Sequence, residues 1–164
     1  MPSRFLAAMS LLLLTALPAL AANPGKIELK STAEVDVVVK NTKGEKEVVR
    51  VEAAKANVTP GDTVIFTTHY VYQGDQPASN VVINNPLPEH MLYLDGSAEG
   101  TGTRIEFSID QGKNFGAPNQ LKVKDAEGKE RPATAADYTH IRWTFEGALQ
   151  NGATGSVSFK AKVK

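Results

Sequence analysis

Apolar and polar residues alternate along much of this chain with a period of two. In residues 27–39 the odd positions are mostly apolar, whereas most even positions carry charge. This pattern is typical of an antiparallel strand with one face on a core and the other in water. The alternation resumes in residues 49–53, after the turn sequence Asn41-Thr42-Lys43-Gly44, in which the glycine suits a positive φ. The sequence therefore predicts a β-hairpin within residues 23–54. The length of its first strand predicts a bend or a change of sheet near Ser31-Thr32.

Further alternating runs follow as far as the end of the chain. Thr59-Pro60-Gly61-Asp62 is a turn sequence, and the strand after it alternates through Val64 and Phe66. The last two strands place their largest apolar side chains on one face: Ile141, Trp143 and Phe145 in one, and Val157, Phe159, Ala161 and Val163 in the other. His140, Arg142 and Thr144 are expected to face outward. No window has a sustained helical period, so the pattern predicts an all-β sandwich or barrel over residues 55–164.

The N-terminus has the organisation of a secretory signal peptide. Arg4 supplies the positive charge, residues 5–17 form an apolar stretch of 13 residues, and Ala19-Leu20-Ala21-Ala22 offers a cleavage site. The alternative is an uncleaved membrane anchor, but the apolar stretch is shorter than the ~20 residues that span a bilayer. We therefore expect residues 1–22 to be removed and the protein to be periplasmic or secreted, without a membrane anchor.

Composition restricts the chemistry available to the chain. Its lack of cysteine excludes disulfides, a thiol nucleophile and cysteine-ligated metal sites, and it suits a bacterial envelope. Lys and Arg total 18 and Asp and Glu total 18, so loss of Arg4 with the signal leaves one excess negative charge. This balance gives no indication of electrostatic binding to nucleic acid or to anionic membranes.

Several ordered motifs resemble one bacterial family. Residues 60–64, Gly74, residues 78–83 and Leu87-Pro88 carry the likeness in the first half, and residues 140–144, Leu149, residues 151–153 and residues 157–159 carry it near the end. Together they resemble the surface-repeat family called domain of unknown function eleven, over about residues 55–163. The resemblance implies an immunoglobulin-like β-sandwich on an exported or cell-surface protein, and it implies no reaction. This chain differs from the commoner pattern in having one copy and an added N-terminal hairpin.

No residue pattern points to catalysis or to a cofactor. Residues 108–115 resemble the Asp-box hairpin of sialidase-type propellers, in which the aspartate, here Asp110, bonds back to its own turn. His69, His90 and His140 lack the spacing of metal ligands, and no serine lies in a nucleophile elbow. We therefore predict no enzymatic activity, no metal and no cofactor.

Three classes of function are consistent with these observations. The first is an exported, non-catalytic immunoglobulin-like module that mediates protein–protein interaction or structural organisation in the bacterial envelope or secreted space. The second is a carbohydrate- or calcium-binding module that uses loops at one end of the sandwich, near His90 and Tyr93. The third is an uncharacterised hydrolase, for which no nucleophile, base pair or metal set is visible.

For the first class, the N-terminal hairpin is the expected interaction edge. A long edge strand offers unpaired N–H and C=O groups to an incoming strand, and charges of both signs can set its register. The candidate residues are Ile27, Glu28, Lys30, Glu34, Asp36 and Lys40. The partner is expected to be another envelope or secreted protein. The opposite interpretation is that these charges keep the edge from pairing at all.

Overall fold

The structure, a computed structural model, describes residues 25–164. These residues form an all-β fold in which every paired strand is antiparallel. Two sheets face each other across a common core, which confirms the predicted antiparallel β-sandwich. The predicted signal peptide, residues 1–22, lies outside the described residues.

Within residues 25–164 the chain forms eleven strands and two short 3₁₀ turns, Ala53–Lys55 and Pro118–Gln120. The strands are β1 (Lys26–Lys40), β2 (Lys46–Glu52), β3 (Thr63–Gln73), β4 (Val82–Pro86), β5 (Met91–Tyr93), β6 (Glu99–Gly100), β7 (Thr103–Ser108), β8 (Lys122–Lys124), β9 (Glu130–Pro132), β10 (His140–Phe145) and β11 (Thr154–Val163).

The larger sheet has the strand order β2-β1-β3-β11-β5, with β6 also paired to β11. The smaller sheet has the order β4-β10-β7, and β8 and β9 form a separate two-stranded hairpin. The larger sheet therefore has more strands than the smaller one that packs on it. Part of the inner face of the larger sheet is therefore left uncovered. Leu29 of β1, for example, lies in the inward register but remains 53% exposed.

The core lies between β10 of the smaller sheet and β3 and β11 of the larger sheet. Ile141 and Trp143 have no exposed surface, and Phe159 of β11 stacks on Phe66 of β3 with 4.9 Å between ring centroids. The predicted inward register of the last two strands is therefore confirmed at Ile141, Trp143, Phe145, Val157, Phe159 and Ala161.

Strand β1 differs from the sequence prediction because it neither changes sheet nor breaks near Ser31-Thr32. Its ladder to β3 runs without a bulge from Lys26 to Val35, and its ladder to β2 runs from Glu34 to Lys40. The length of β1 is thus explained by two partners in succession within one sheet.

Arg142 also differs from its expected place on an open surface. It lies on the outer face of β10, but its guanidinium donates to Glu106 Oε2 at 2.9 Å through Nη2. The guanidinium carbon is 4.2 Å from the ring centroid of Phe115. The outer face of the smaller sheet is therefore partly covered by the loop that follows β7.

Candidate interaction edge

The hairpin of β1 and β2 is staggered relative to the rest of the larger sheet. Only Glu34 and Val35 of β1 are paired on both sides, with β2 and with β3. The remaining residues of the β1–β2 ladder extend past the end of the β3 ladder. As a result β2 is the outermost strand of the sheet, bonded along its length to β1 alone among the described strands.

The predicted edge residues are distributed over both parts of β1. Ile27, Glu28 and Lys30 lie in the part that pairs with β3, and Asp36 and Lys40 lie in the part that pairs with β2. Glu34 belongs to both ladders. Ile27 is on the inner face and packs at the margin of the core, whereas the five charged residues share the outer face.

Among the described residues, free edges therefore lie on both strands: β1 is paired on one side only over residues 26–33 and 36–40, and β2 is paired with β1 alone over its whole length. The candidate residue set contained residues of β1 and none of β2. Both strands of the hairpin show the same alternation of apolar and polar residues. The alternation therefore does not indicate which of the two strands pairs with β3. The available signal was the shorter length of β2, because a strand of seven residues cannot follow β3 for ten.

The turn of the hairpin is fixed by local hydrogen bonds. Asn41 Oδ1 accepts from the backbone N–H groups of Lys43 at 2.9 Å and Glu45 at 3.0 Å. Gly44 has φ +78°, as the sequence predicted for this position. The backbone N–H of Asn41 donates to the carbonyl of Glu45 and closes the ladder. The register between β1 and β2 is therefore well determined at the tip.

Four cross-strand pairs cover the outer face of the hairpin. In order from the sandwich towards the tip they are Glu34–Glu52, Asp36–Arg50, Val38–Val48 and Lys40–Lys46. Arg50 binds both carboxylate oxygens of Asp36, at 2.8 and 3.0 Å, and this hydrogen bonding holds the pKa of Asp36 below its usual value. Val38 and Val48 are each 64% exposed.

Two features of this face are unfavourable in the isolated chain. The pairs at its ends bring like charges opposite each other, two carboxylates at one end and two ammonium groups at the other, which destabilises a sheet. Lys55 binds Glu52 at 2.8 Å and offsets part of the negative charge. Between the ends, two large apolar side chains are open to water. These features indicate a surface suited to contact with another molecule.

A cleft of about 660 Å³ lies at the end of the sandwich where the loop after β4 meets the loop before β10. Pro86, Leu87 and Met91 line one part of it, and Tyr138 and His140 line another. The nearby loop is held by Asp137, whose carboxylate accepts from Arg131 at 2.7 and 2.8 Å. The hydrogen bonds from Arg131 keep the pKa of Asp137 well below its usual value.

The loop after β7 folds as the Asp-box resemblance implied. Asp110 Oδ1 accepts from the backbone N–H of Asn114 at 2.9 Å and from the hydroxyl of Ser108 at 2.7 Å. Hydrogen bonds from Asn114 and Ser108 lower the pKa of Asp110 to about 2. Ser108 is fully buried, and its Oγ also accepts from the backbone N–H of Gly112. Both side chains therefore hold the turn.

The residues considered for ligand binding or for metal binding lie in different surroundings. Tyr93 is 2% exposed, and its hydroxyl accepts from the backbone N–H of Ala98. His69 lies on β3 in the larger sheet and His140 lies on β10 in the smaller sheet, while His90 is exposed in the loop before β5. Within residues 25–164 no three acidic or histidine side chains are grouped so that they could hold a metal ion.

Within residues 25–164, no helix has the length and apolar character needed to cross a membrane.

Comparison with known proteins identifies no relative of this chain. Models of protein families, curated sequences and solved structures all give no match.

Proposed function

We propose that this chain is an exported, non-catalytic module of the bacterial envelope or secreted space that binds another protein along strand β2. The observation that carries the proposal is the free edge of β2 beside two exposed valines, Val38 and Val48. An incoming strand would pair with the backbone of β2, and the valines would pack beneath its side chains. The resemblance of residues 55–163 to bacterial surface repeats, with their immunoglobulin-like fold, supports the same class of function.

The character of β2 favours pairing over protection. Sheet edges that avoid partners commonly carry charged side chains, a bulge, a proline or a very short strand, and of these devices β2 has the charges alone. Strand β2 is a regular run of seven residues, Lys46–Glu52, with neither proline nor glycine. Its charges are of both signs and are therefore able to select a partner with a matching pattern.

Position-specific photo-crosslinking in the producing cells tests this proposal. A photoreactive residue at Val48 is expected to give a defined crosslinked product, and Val38→Lys is expected to remove it. The matched control carries the probe at Val82 of β4, also an exposed valine, on the smaller sheet. A product formed equally well from Val82, or one unaffected by Val38→Lys, would argue against β2 as the binding edge.

The end cleft supports a second candidate function, binding of a small ligand such as a carbohydrate. Its volume, its apolar wall of Pro86, Leu87 and Met91, and the adjacent His140 are the observations that favour it. A glycan array on the mature protein tests this candidate. Binding that disappears in Leu87→Asp and persists in Val48→Lys would assign the function to the cleft.

A further inference from the structure

We infer that strand β2 pairs with β2 of a second copy of this chain, in an antiparallel register centred on Val49. The inference rests on the proposed function and names the partner for the same edge. The inference follows from the charges on the outer face of the hairpin, where a pair of carboxylates lies at one end and a pair of ammonium groups at the other. The cross-strand pairs of this face are Glu34–Glu52, Asp36–Arg50, Val38–Val48 and Lys40–Lys46.

Backbone geometry makes the edge available for such pairing. In an antiparallel ladder, alternate residue pairs bond to each other, and the residues between them point their N–H and C=O groups the other way. The bond from Asn41 N–H to the Glu45 carbonyl sets this alternation for the hairpin. Counting from it, the outward-pointing backbone groups of β2 belong to Lys46, Val48, Arg50 and Glu52.

Symmetry limits the possible registers to a few. A twofold axis perpendicular to the sheet keeps each face on its own side, so residues on the outer face must meet residues on the outer face. A register centred on Val48 would oppose Lys46 to Arg50, and one centred on Arg50 would oppose two arginines. A register centred on Val51 would leave only the last residues of β2 paired, because Ala53–Lys55 is a 3₁₀ turn.

The register centred on Val49 pairs all seven residues of β2 and opposes Lys46 to Glu52 at both ends. The cross-strand pair Lys40–Lys46 of each copy would then lie in line with the pair Glu52–Glu34 of the other copy, so that Lys46 meets Glu52 at the new ladder. The like-charge pairs that are unfavourable within one chain become complementary between two chains. Lys55 binds Glu52 in the single chain, so Lys46 of the second copy would share this carboxylate with an exposed ammonium group.

The same register also covers Val48, one of the two exposed valines. Val48 of one copy comes opposite Arg50 of the other, whose guanidinium is held by Asp36 through two hydrogen bonds. The aliphatic part of an arginine side chain fixed in this way offers apolar contact to the valine. The paired surface is short, so the dimer is expected to be weak and dependent on concentration.

Two charge reversals test the register. Lys46→Glu would oppose carboxylates between copies, and Glu52→Lys would oppose ammonium groups, so each variant is expected to raise the dimer dissociation constant roughly tenfold or more. Each change replaces a like-charge pair inside the hairpin by an opposite-charge pair, and Glu52→Lys also gives up the exposed ion pair with Lys55, which contributes little to the fold. An equimolar mixture of the two variants restores both intermolecular pairs and is expected to recover dimerisation.

Sedimentation velocity over a concentration series, up to about 1 mM, measures the association of the mature wild type, the two variants and their mixture. Concentration-dependent dimers of the wild type that weaken in each variant and return in the mixture support the inference. A wild type that remains monomeric throughout, dimers insensitive to both reversals, or a mixture that fails to recover would each overturn it. A monomeric wild type with a Val48 crosslink to a different protein would overturn this inference and leave the proposed function standing.

Discussion

Trp143 is the side chain on which the packing of the two sheets depends most directly. It is fully buried between Ile141 and Phe145 on the inner face of β10 and lies near Phe159 of the opposite sheet. We expect Trp143→Ala to reduce the free energy of unfolding by about 3–5 kcal/mol, because it leaves a large cavity. Urea midpoints measure the change, with Thr144→Ala on the outer face as the control.

Arg142→Ala provides a third variant of β10 whose loss of unfolding free energy can be compared with those of Trp143→Ala and Thr144→Ala. Its contacts with Glu106 and Phe115 predict an intermediate cost for Arg142→Ala of about 1 kcal/mol. An order in which Thr144→Ala proves the most damaging of the three changes would show that the register of β10 is wrong by one residue.

Asp110 makes stability depend on pH in the acidic range. Its pKa is about 2 in the folded protein, below the value of about 3.9 for an unfolded aspartate. A group with a lowered folded pKa stabilises the fold above its unfolded pKa, and that contribution is lost as the pH falls from about 5 towards 2. We therefore expect Asp110→Asn to lower the melting temperature at pH 7 and to have a smaller effect near pH 2.

Thermal melts at the two pH values check this prediction, with Asp75→Asn in an exposed turn as the control. An equal loss of melting temperature at both pH values would mean that the carboxylate charge contributes nothing to the turn.

At the scale of the element, the β1–β2 hairpin depends on its turn. Gly44 has a positive φ that an alanine adopts only with strain, although its Cβ would meet no atom within 4 Å. We expect Gly44→Ala to cost about 1–2 kcal/mol. Gly147 is the matched control, since its Cβ would also meet no atom within 4 Å and its φ lies outside the positive region. Chemical denaturation of both variants should show a loss for the first alone.

Strand β1 shows which part of an element can be predicted from its sequence. Its alternation predicted the inner face correctly, because burial acts on side chains and leaves a period of two. The turn at residues 41–44 predicted β2 as one neighbour of β1, but the pairing with β3 was not predictable, since that ladder uses backbone groups that every residue carries. The expected change of sheet near Ser31 was wrong for this reason: two successive partners, β3 and β2, account for the length of β1.

The geometry of the candidate interaction edge could be predicted from the sequence only in part. The hairpin and its outer charges at Glu34, Asp36 and Lys40 were visible from the sequence. The matching charges of Lys46, Arg50 and Glu52 gained meaning only from the register, which places each of them opposite a particular residue of β1. The contact of Arg142 with Glu106 could not be predicted either, because it joins strands 36 residues apart.

Strand β1 is an integral strand of the larger sheet of the sandwich. Val35 is 5% exposed and pairs with Val64 of β3, so a chain starting near Lys55 would lose part of the core as well as the hairpin. Point changes on β2 therefore separate binding from folding better than a truncation does.

Export is the other property of the whole molecule that the sequence predicts. Cleavage after Ala21 or Ala22 should release a chain that begins at Ala22 or Asn23 and is recovered from the periplasm or the medium. Intact mass spectrometry of the recovered protein measures this. A chain that still begins at Met1 and remains with the membrane fraction would contradict it.

Residue-resolved amide hydrogen exchange measures whether the outward-pointing backbone groups of β2 are free in the single chain and bonded in the dimer. In dilute protein the amides of Val48 and Arg50 should exchange rapidly, whereas those of Val49 and Val51, which bond to β1, should exchange slowly. Raising the protein concentration into the range where dimers form is expected to slow exchange at Val48 and Arg50 by roughly tenfold. Unchanged exchange at both residues, together with new protection on another strand such as β4, would contradict the assignment of β2 as the interaction edge.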